Sequence, residues 1–231
     1  MGFWQLDRAE EKRVIDQGVN DAIAKSALKL NTADLTTLKN EIYRSGSLIG
    51  RYDNKQQFLL DNRTHKGKPG YHVISPFLFE NSSSSNTPNN AILINRGWIG
   101  YQGRRNQIAD ISLDKENLMI VGSIKNIPRS IVLNDKAEDD SSTDLTFETK
   151  GKKLEGTSLI QSIQLDRLEQ TLNYKLLPIM IELNETAENG FTREWQPYYG
   201  SIDKHNAYAV QWFAMASILL FLFIKLNIRK H

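Results

Sequence analysis

Along this chain the spacing of apolar and polar positions changes several times, and each change predicts a different kind of element. From Trp4 to about Leu30, apolar side chains recur at Leu6, Val14, Ile15, Val19, Ala22 and Ile23 among strong helix formers, with only Gly18 in dissent. That spacing predicts a long helix. After Asn31-Thr32-Ala33-Asp34 the texture turns to short apolar or alternating runs separated by turn residues. Such runs predict antiparallel strands, placed near 41–50, 56–62, 70–79, 91–99 and 118–126. Lys66-Gly67-Lys68-Pro69-Gly70 predicts a turn, while the Ser/Asn tract from Asn81 to Asn90 and the acidic stretch from Asn134 to Thr143 predict exposed loops. A short strand, a helix from about Leu165 to Asn173 and a last strand over Leu176 to Leu183 follow.

The final change is the sharpest. Ala207 to Ile224 carries no charged residue and is closed by Lys225, Arg229 and Lys230. At about 1.5 Å per residue this run makes a rod of roughly 27 Å, close to the hydrocarbon thickness of a bilayer. It predicts a transmembrane helix whose cationic end stays on the cytoplasmic or matrix side, with the residues before it on the opposite face.

Strands interrupted by a few helices, without regular βαβ alternation, predict an α+β domain whose antiparallel sheet can curl into a barrel. The expected organisation is an N-terminal helix over residues 1–30, an extracytoplasmic α+β domain over 31–204, a membrane span over 205–225 and a short cytoplasmic tail over 226–231.

Composition narrows the function. The 29 Lys and Arg nearly cancel the 27 Asp and Glu, and no basic stripe alternates with aromatics, so a nucleic-acid partner is not expected. Cysteine is absent, which removes disulfides and thiolate chemistry. The four Met and four His are scattered, which disfavours a copper carrier. Gly-x-Ser-x-Gly, Ser-x-x-Lys, His-Glu-x-x-His and phosphate-cradling glycine loops are all missing, and no enzymatic activity is expected.

Four places could still carry a function. Trp4, Arg8 and Lys12 share one helix face, where the indole can sit under the guanidinium or simply belong to a surface stripe. Asn95-Arg96-Gly97-Trp98 leaves an apolar strand with a glycine that permits a bulge or a close backbone approach. Arg96 and Trp98 there either form a gripping rim or are an ion-paired cation and a core ring. His72 alternates with Tyr71 and Val73 along its strand, and a structural role is favoured for it. His205, Tyr208 and Trp212 share a narrow helical stripe at the entrance to the apolar run. A neutral imidazole flanked by two flat rings at a membrane surface can ligate haem iron; the other reading is an interfacial aromatic belt.

Gly2-Phe3-Trp4-Gln5-Leu6-Asp7-Arg8 with Lys12, the central pair Gly70-Tyr71-His72-Val73-Ile74-Ser75-Pro76 and Ile94-Asn95-Arg96-Gly97-Trp98-Ile99, and the terminal His205-Asn206-Ala207-Tyr208-Ala209-Val210-Gln211-Trp212-Phe213 together resemble the motifs of the surfeit locus protein 1 family. Their order and spacing fit that family over nearly the whole chain. The resemblance implies a membrane-anchored assembly factor for haem-copper cytochrome c oxidase, working with oxidase subunit I and the haem a synthesis machinery. Its expected place is a bacterial inner membrane, with the main domain periplasmic, or a mitochondrial inner membrane in a eukaryote. It also implies haem a as a transiently bound cofactor, with His205 matching the family's candidate iron ligand and Tyr208 and Trp212 beside it. Trp4, Arg8, Arg96, Gly97 and Trp98 match its other motifs. The family's first span should sit immediately before Gly2, where this sequence has Met1, and a lost upstream segment is expected. Asn206 stands where the family more often has an apolar residue. The competing reading is a single-span scaffold that binds oxidase subunits or other membrane proteins without haem.

Overall fold

The computed structural model describes residues 1–82, 90–113, 117–128, 147–149, 152–195 and 202–228. It divides into two compact units, Ala24–Glu194 and a helical unit formed by Met1–Ile23 with Trp195–His231. Helix α1 covers Gly2–Ala24, and the strands follow as β1 (Leu28–Lys29), β2 (Ser45–Tyr52), β3 (Gln57–His65), β4 (Lys68–Phe79), β5 (Asn90–Gly100) and β6 (Leu118–Asn126). Two-residue strands β7 (Glu148–Thr149) and β8 (Lys152–Lys153) pair with each other; β9 (Thr157–Ile160), α2 (Leu165–Leu172), β10 (Ile179–Leu183) and α3 (Ile202–Ile228) complete the order.

The sheet runs β1-β2-β6-β10-β5-β4-β3-β9, and an additional β2–β4 pairing closes β2, β6, β10, β5 and β4 into a five-stranded barrel. The expected α+β class with a barrel-like sheet is therefore what the chain adopts. Antiparallel ladders dominate, yet β10 lies parallel to β5, β9 to β3 and β1 to β2.

Each barrel strand sends alternate side chains inward. Leu48 and Tyr52 of β2, Phe77 and Phe79 of β4, Ile92 and Ile94 of β5, Ile120 and Ile124 of β6, and Ile179, Ile181 and Leu183 of β10 form one buried cluster. The opposite faces are covered too. Ala91 and Leu93 of β5 pack with Phe58, Leu60, Ile74 and Met180 against Leu168 of α2, which explains why Ala91-Ile92-Leu93-Ile94 is apolar without alternation. Leu59, Tyr71, Val73 and Ile99 join Ile108, Ile111 and Phe147 in a third cluster.

Local chemistry accounts for the boundaries. Helix α1 ends at Ala24, short of the expected Leu30, because Leu30 is fully buried in the barrel interior and its N–H donates to the Ser47 carbonyl. Tertiary burial overrides the helix propensity of Ala, Lys and Leu here. The strand expected from residue 41 starts at Ser45, preceded by a 3-10 turn over Leu35–Asn40 whose first turn is capped by the Asp34 carboxylate at 2.9 Å from the Thr36 N–H. The chain reverses at Lys66 and Gly67 alone, so Lys68, Pro69 and Gly70 of the expected turn already belong to β4. Helix α2 presents Leu165, Leu168 and Leu172 to the second cluster and stops at Asn173, which is left-handed at φ 59° and donates its N–H to the Glu169 carbonyl. Residues 83–89 of the Ser/Asn tract, and the acidic stretch 134–143, lie outside the described residues.

Helix α3 begins at Ile202 rather than 205 and continues to Ile228. It is long and apolar enough to cross a membrane, and only 6% of its most apolar window is buried.

Candidate functional site

In the helical unit, the first turn of α1 packs along α3 between His205 and Phe213. The Gly2 backbone lies so close to the Phe213 ring that a β-carbon at position 2 would come within 2.7 Å of it. Phe3 meets the same ring edge-on, with centroids 5.1 Å apart. This contact sets the spacing of the two helices and brings Gln5 alongside His205, whose Nδ1 lies 2.7 Å from Gln5 Oε1. The imidazole is half-buried, whereas Tyr208 and Trp212 on its stripe are 52% and 42% exposed. Arg8 lies with Cζ 5.9 Å from the Trp4 ring centroid, the predicted cation–π contact, and is ion-paired to Glu11.

This arrangement fits a haem. With Gln5 Oε1 accepting from Nδ1, Nε2 would be the nitrogen with a lone pair, and the two exposed rings offer flat apolar surface beside it. Tyr208 and Trp212 lie within about 60° of His205 around α3, by the helical repeat of about 100° per residue. Among the described residues no three His, Cys, Asp or Glu side chains form a metal-holding cluster. A single imidazole with aromatic neighbours suits a porphyrin, which carries its other metal ligands itself, far better than a bare ion.

The central motif lies in the barrel unit. Asn95 pairs with Ile74 and Trp98 with His72, so β5 carries an extra residue there and bulges. Gly97 occupies φ +115°, where a β-carbon would meet the Thr192 carbonyl oxygen at 2.7 Å. Only glycine tolerates both the conformation and the approach. The bulge turns the other strand edge to Phe191 and Thr192: the Phe191 N–H donates to the Arg96 carbonyl, the Trp98 N–H to the Thr192 carbonyl and the Thr192 N–H to the Trp98 carbonyl.

Arg96 is the largest fully buried side chain of the described residues. Its Nε donates to the Asn189 carbonyl at 2.9 Å; its Nη1 donates to Gln57 Oε1 at 2.9 Å, the Ile111 carbonyl at 2.8 Å and Ser75 Oγ at 3.4 Å. The guanidinium lies 4.9 Å from the Phe191 ring centroid and 5.6 Å from that of Tyr52. Burial pushes its pKa down to about 10, with Tyr52 and Asp110 opposing the shift, so the group stays charged at neutral pH. Burial also pushes the Tyr52 hydroxyl up to about 12, against the pull of Arg96 and Arg193. A rigid, planar donor that joins β3, β4, β5 and two loops is a clasp within the domain, a task lysine's single ammonium could not repeat.

Trp98 is half-buried, donates its indole N–H to the Arg63 carbonyl at 3.2 Å and packs against the His65 ring at 5.2 Å. His72 accepts at Nδ1 from the Asn95 amide at 3.1 Å. Burial, helped by the Arg63 charge, holds its pKa down to about 4.

The structure thus brings His205, Tyr208 and Trp212 together on α3 and Trp4 with Arg8 on α1, and it places Arg96, Gly97 and Trp98 on one bulge of the barrel. Sequence reasoning missed Gln5, which touches the candidate ligand, and Gln57, which anchors Arg96. Gln5 lay inside a quoted motif, but nothing in its spacing announces a partner 200 residues away.

A SURF1-like protein of Rickettsia felis is 20% identical over 190 residues, covering 75% of this chain and 80% of the relative. A SURF1-like protein of Dictyostelium discoideum is 24% identical over 127 residues, covering 52% of this chain and 44% of the relative. The family pattern described as the SURF1 family matches residues 1–217, a stretch that holds the first turn of α1, the glycine bulge of β5 and the histidine stripe of α3. The chain belongs to the SURF1 family, which is linked to the assembly of cytochrome c oxidase.

Proposed function

We propose that this protein is a non-enzymatic, membrane-anchored factor that assists delivery or insertion of haem a into subunit I of a haem-copper cytochrome c oxidase. Family membership supports the oxidase, and the apolar helix α3 supports the anchor. The observation that carries the haem reading is the His205–Gln5 contact at 2.7 Å beside two exposed aromatic rings. In this reading α3 crosses the inner membrane with Lys225 on the cytoplasmic or matrix side, and the barrel domain faces the periplasm or intermembrane space.

Haem a, when bound, supplies an iron that accepts a nitrogen lone pair. The rest would fall to the chain: His205 would offer Nε2, Gln5 would hold the ring, and Tyr208 and Trp212 would supply flat apolar surface beside it. A single bond from a half-buried residue would suit a carrier that must release its cargo.

The test is an absorption spectrum of the detergent-purified chain after co-expression with haem a synthesis enzymes. A haem a Soret band that is lost or strongly altered in His205→Ala, with membrane insertion unchanged, is the expected result. A spectrum unaffected by that substitution removes His205 as the ligand.

A second reading has its own support in the barrel. Ile49 and Met119 face each other across β2 and β6 and are 57% and 67% exposed. Exposed apolar cross-strand pairs suit a protein partner. A colourless chain that still co-purifies with oxidase subunits would make it a scaffold without haem.

A further inference from the structure

We propose that Gln5 is the positioning residue that fixes His205 as its Nδ1–H tautomer and leaves Nε2 as a preset ligating atom; the identity of the incoming metal centre rests on the haem reading above. A neutral imidazole carries one proton, on either nitrogen, and the partner of one nitrogen decides which. Gln5 Oε1 has only lone pairs to offer. At 2.7 Å from it, Nδ1 must be the donor, so the lone pair resides on Nε2.

The contact is built, not incidental. It joins two helices whose separation is fixed by the Gly2 approach to Phe213 and the Phe3–Phe213 edge contact. Both partners are half-buried, which limits competition from water. Histidines that ligate metals usually hold their other N–H on an acceptor of this kind, which orients the ring and raises its basicity. A neutral amide supplies the orientation while drawing little proton density from Nδ1. A carboxylate there would make His205 the stronger ligand, which a carrier that must release its cargo does not need.

The test uses the full chain in detergent with 15N-labelled imidazoles, the His205 signals being assigned by their loss in His205→Ala. The expected result is a protonated Nδ1 and an unprotonated Nε2 in the wild type. Gln5→Leu, of similar size but without an acceptor, should move the proton population toward Nε2, and Gln5→Glu should restore the Nδ1–H form. With haem a supplied, Gln5→Leu should bind about tenfold more weakly and Gln5→Glu should recover binding. Protonated Nε2 in the wild type, as an amide donating its own N–H to Nδ1 would produce, overturns the proposal, and so does a tautomer indifferent to Gln5→Leu. Failure of the wild type to take up haem a while the tautomer responds as described sinks the haem reading and leaves the Gln5 assignment standing.

Discussion

His72 shows how one half-buried side chain couples the barrel to pH. Its folded-state pKa of about 4 lies below the ordinary 6.5, because the charged ring would lose its hydration. As pH falls through 6.5 the unfolded chain takes up a proton that the folded chain refuses until about pH 4. Stability contributed by the neutral ring is therefore full above 6.5 and lost on acidification across that window, up to about 3 kcal/mol. Thermal melts between pH 7 and 4 should show the midpoint falling with pH, and His72→Gln should flatten that slope. The strand alternation already separated His72 from Tyr71 and Val73, so its structural role could be read in the sequence. The surroundings of Arg96 could not. Its acceptors come from β3, β4, the segment at Ile111 and the loop at Asn189, and only folding brings these together.

Among elements, those marked by a sustained apolar pattern in their own residues were legible: β3 to β6, α2 and α3 all lie within a few residues of their expected limits. The overlong α1 and the parallel pairings were not, because both depend on what a distant strand does with Leu28 to Leu30 or with β10. The α1–α3 contact is equally invisible in local patterns, yet it depends on a single missing side chain. Gly2→Leu would drive atoms into the Phe213 ring and force the first turn of α1 away from α3. Its expected effect is loss of the Gln5–His205 hydrogen bond, with the His205 tautomer altered as in Gln5→Leu. The melting of the barrel unit should change little. Chemical shifts of His205, compared with a melt followed at Trp98, check this directly; a normal His205 tautomer in Gly2→Leu would show that the close approach is dispensable.

For the whole molecule, α3 is the element with the least protein to cover it, since Ile218, Leu219, Leu220 and Phe221 are all about 60% exposed or more. A lipid surround removes that contact with water. Each Lys placed at the helix centre opposes insertion by about 2.5 to 3.5 kcal/mol. The double substitution Leu219→Lys and Leu220→Lys should therefore shift the protein from the membrane pellet to the alkaline-extractable fraction, whereas Leu219→Ile with Leu220→Val should not. Retention of the double-lysine chain in the membrane would mean that something other than α3 holds it there.

The position of β10 between β6 and β5 also has a consequence in time. During synthesis, β2 to β6 are made long before Ile179–Leu183, so the ring stays open on one side with the edges of β5 and β6 unpaired. Open edges of this kind are the places where nascent chains stick to one another. The gap can be filled only when nearly the whole domain has left the ribosome, and the apolar helix starting at Ile202 follows shortly after. Barrel closure and the emergence of the apolar helix thus fall in the same short interval of translation, and a stall just before residue 179 leaves both open edges waiting for their partner.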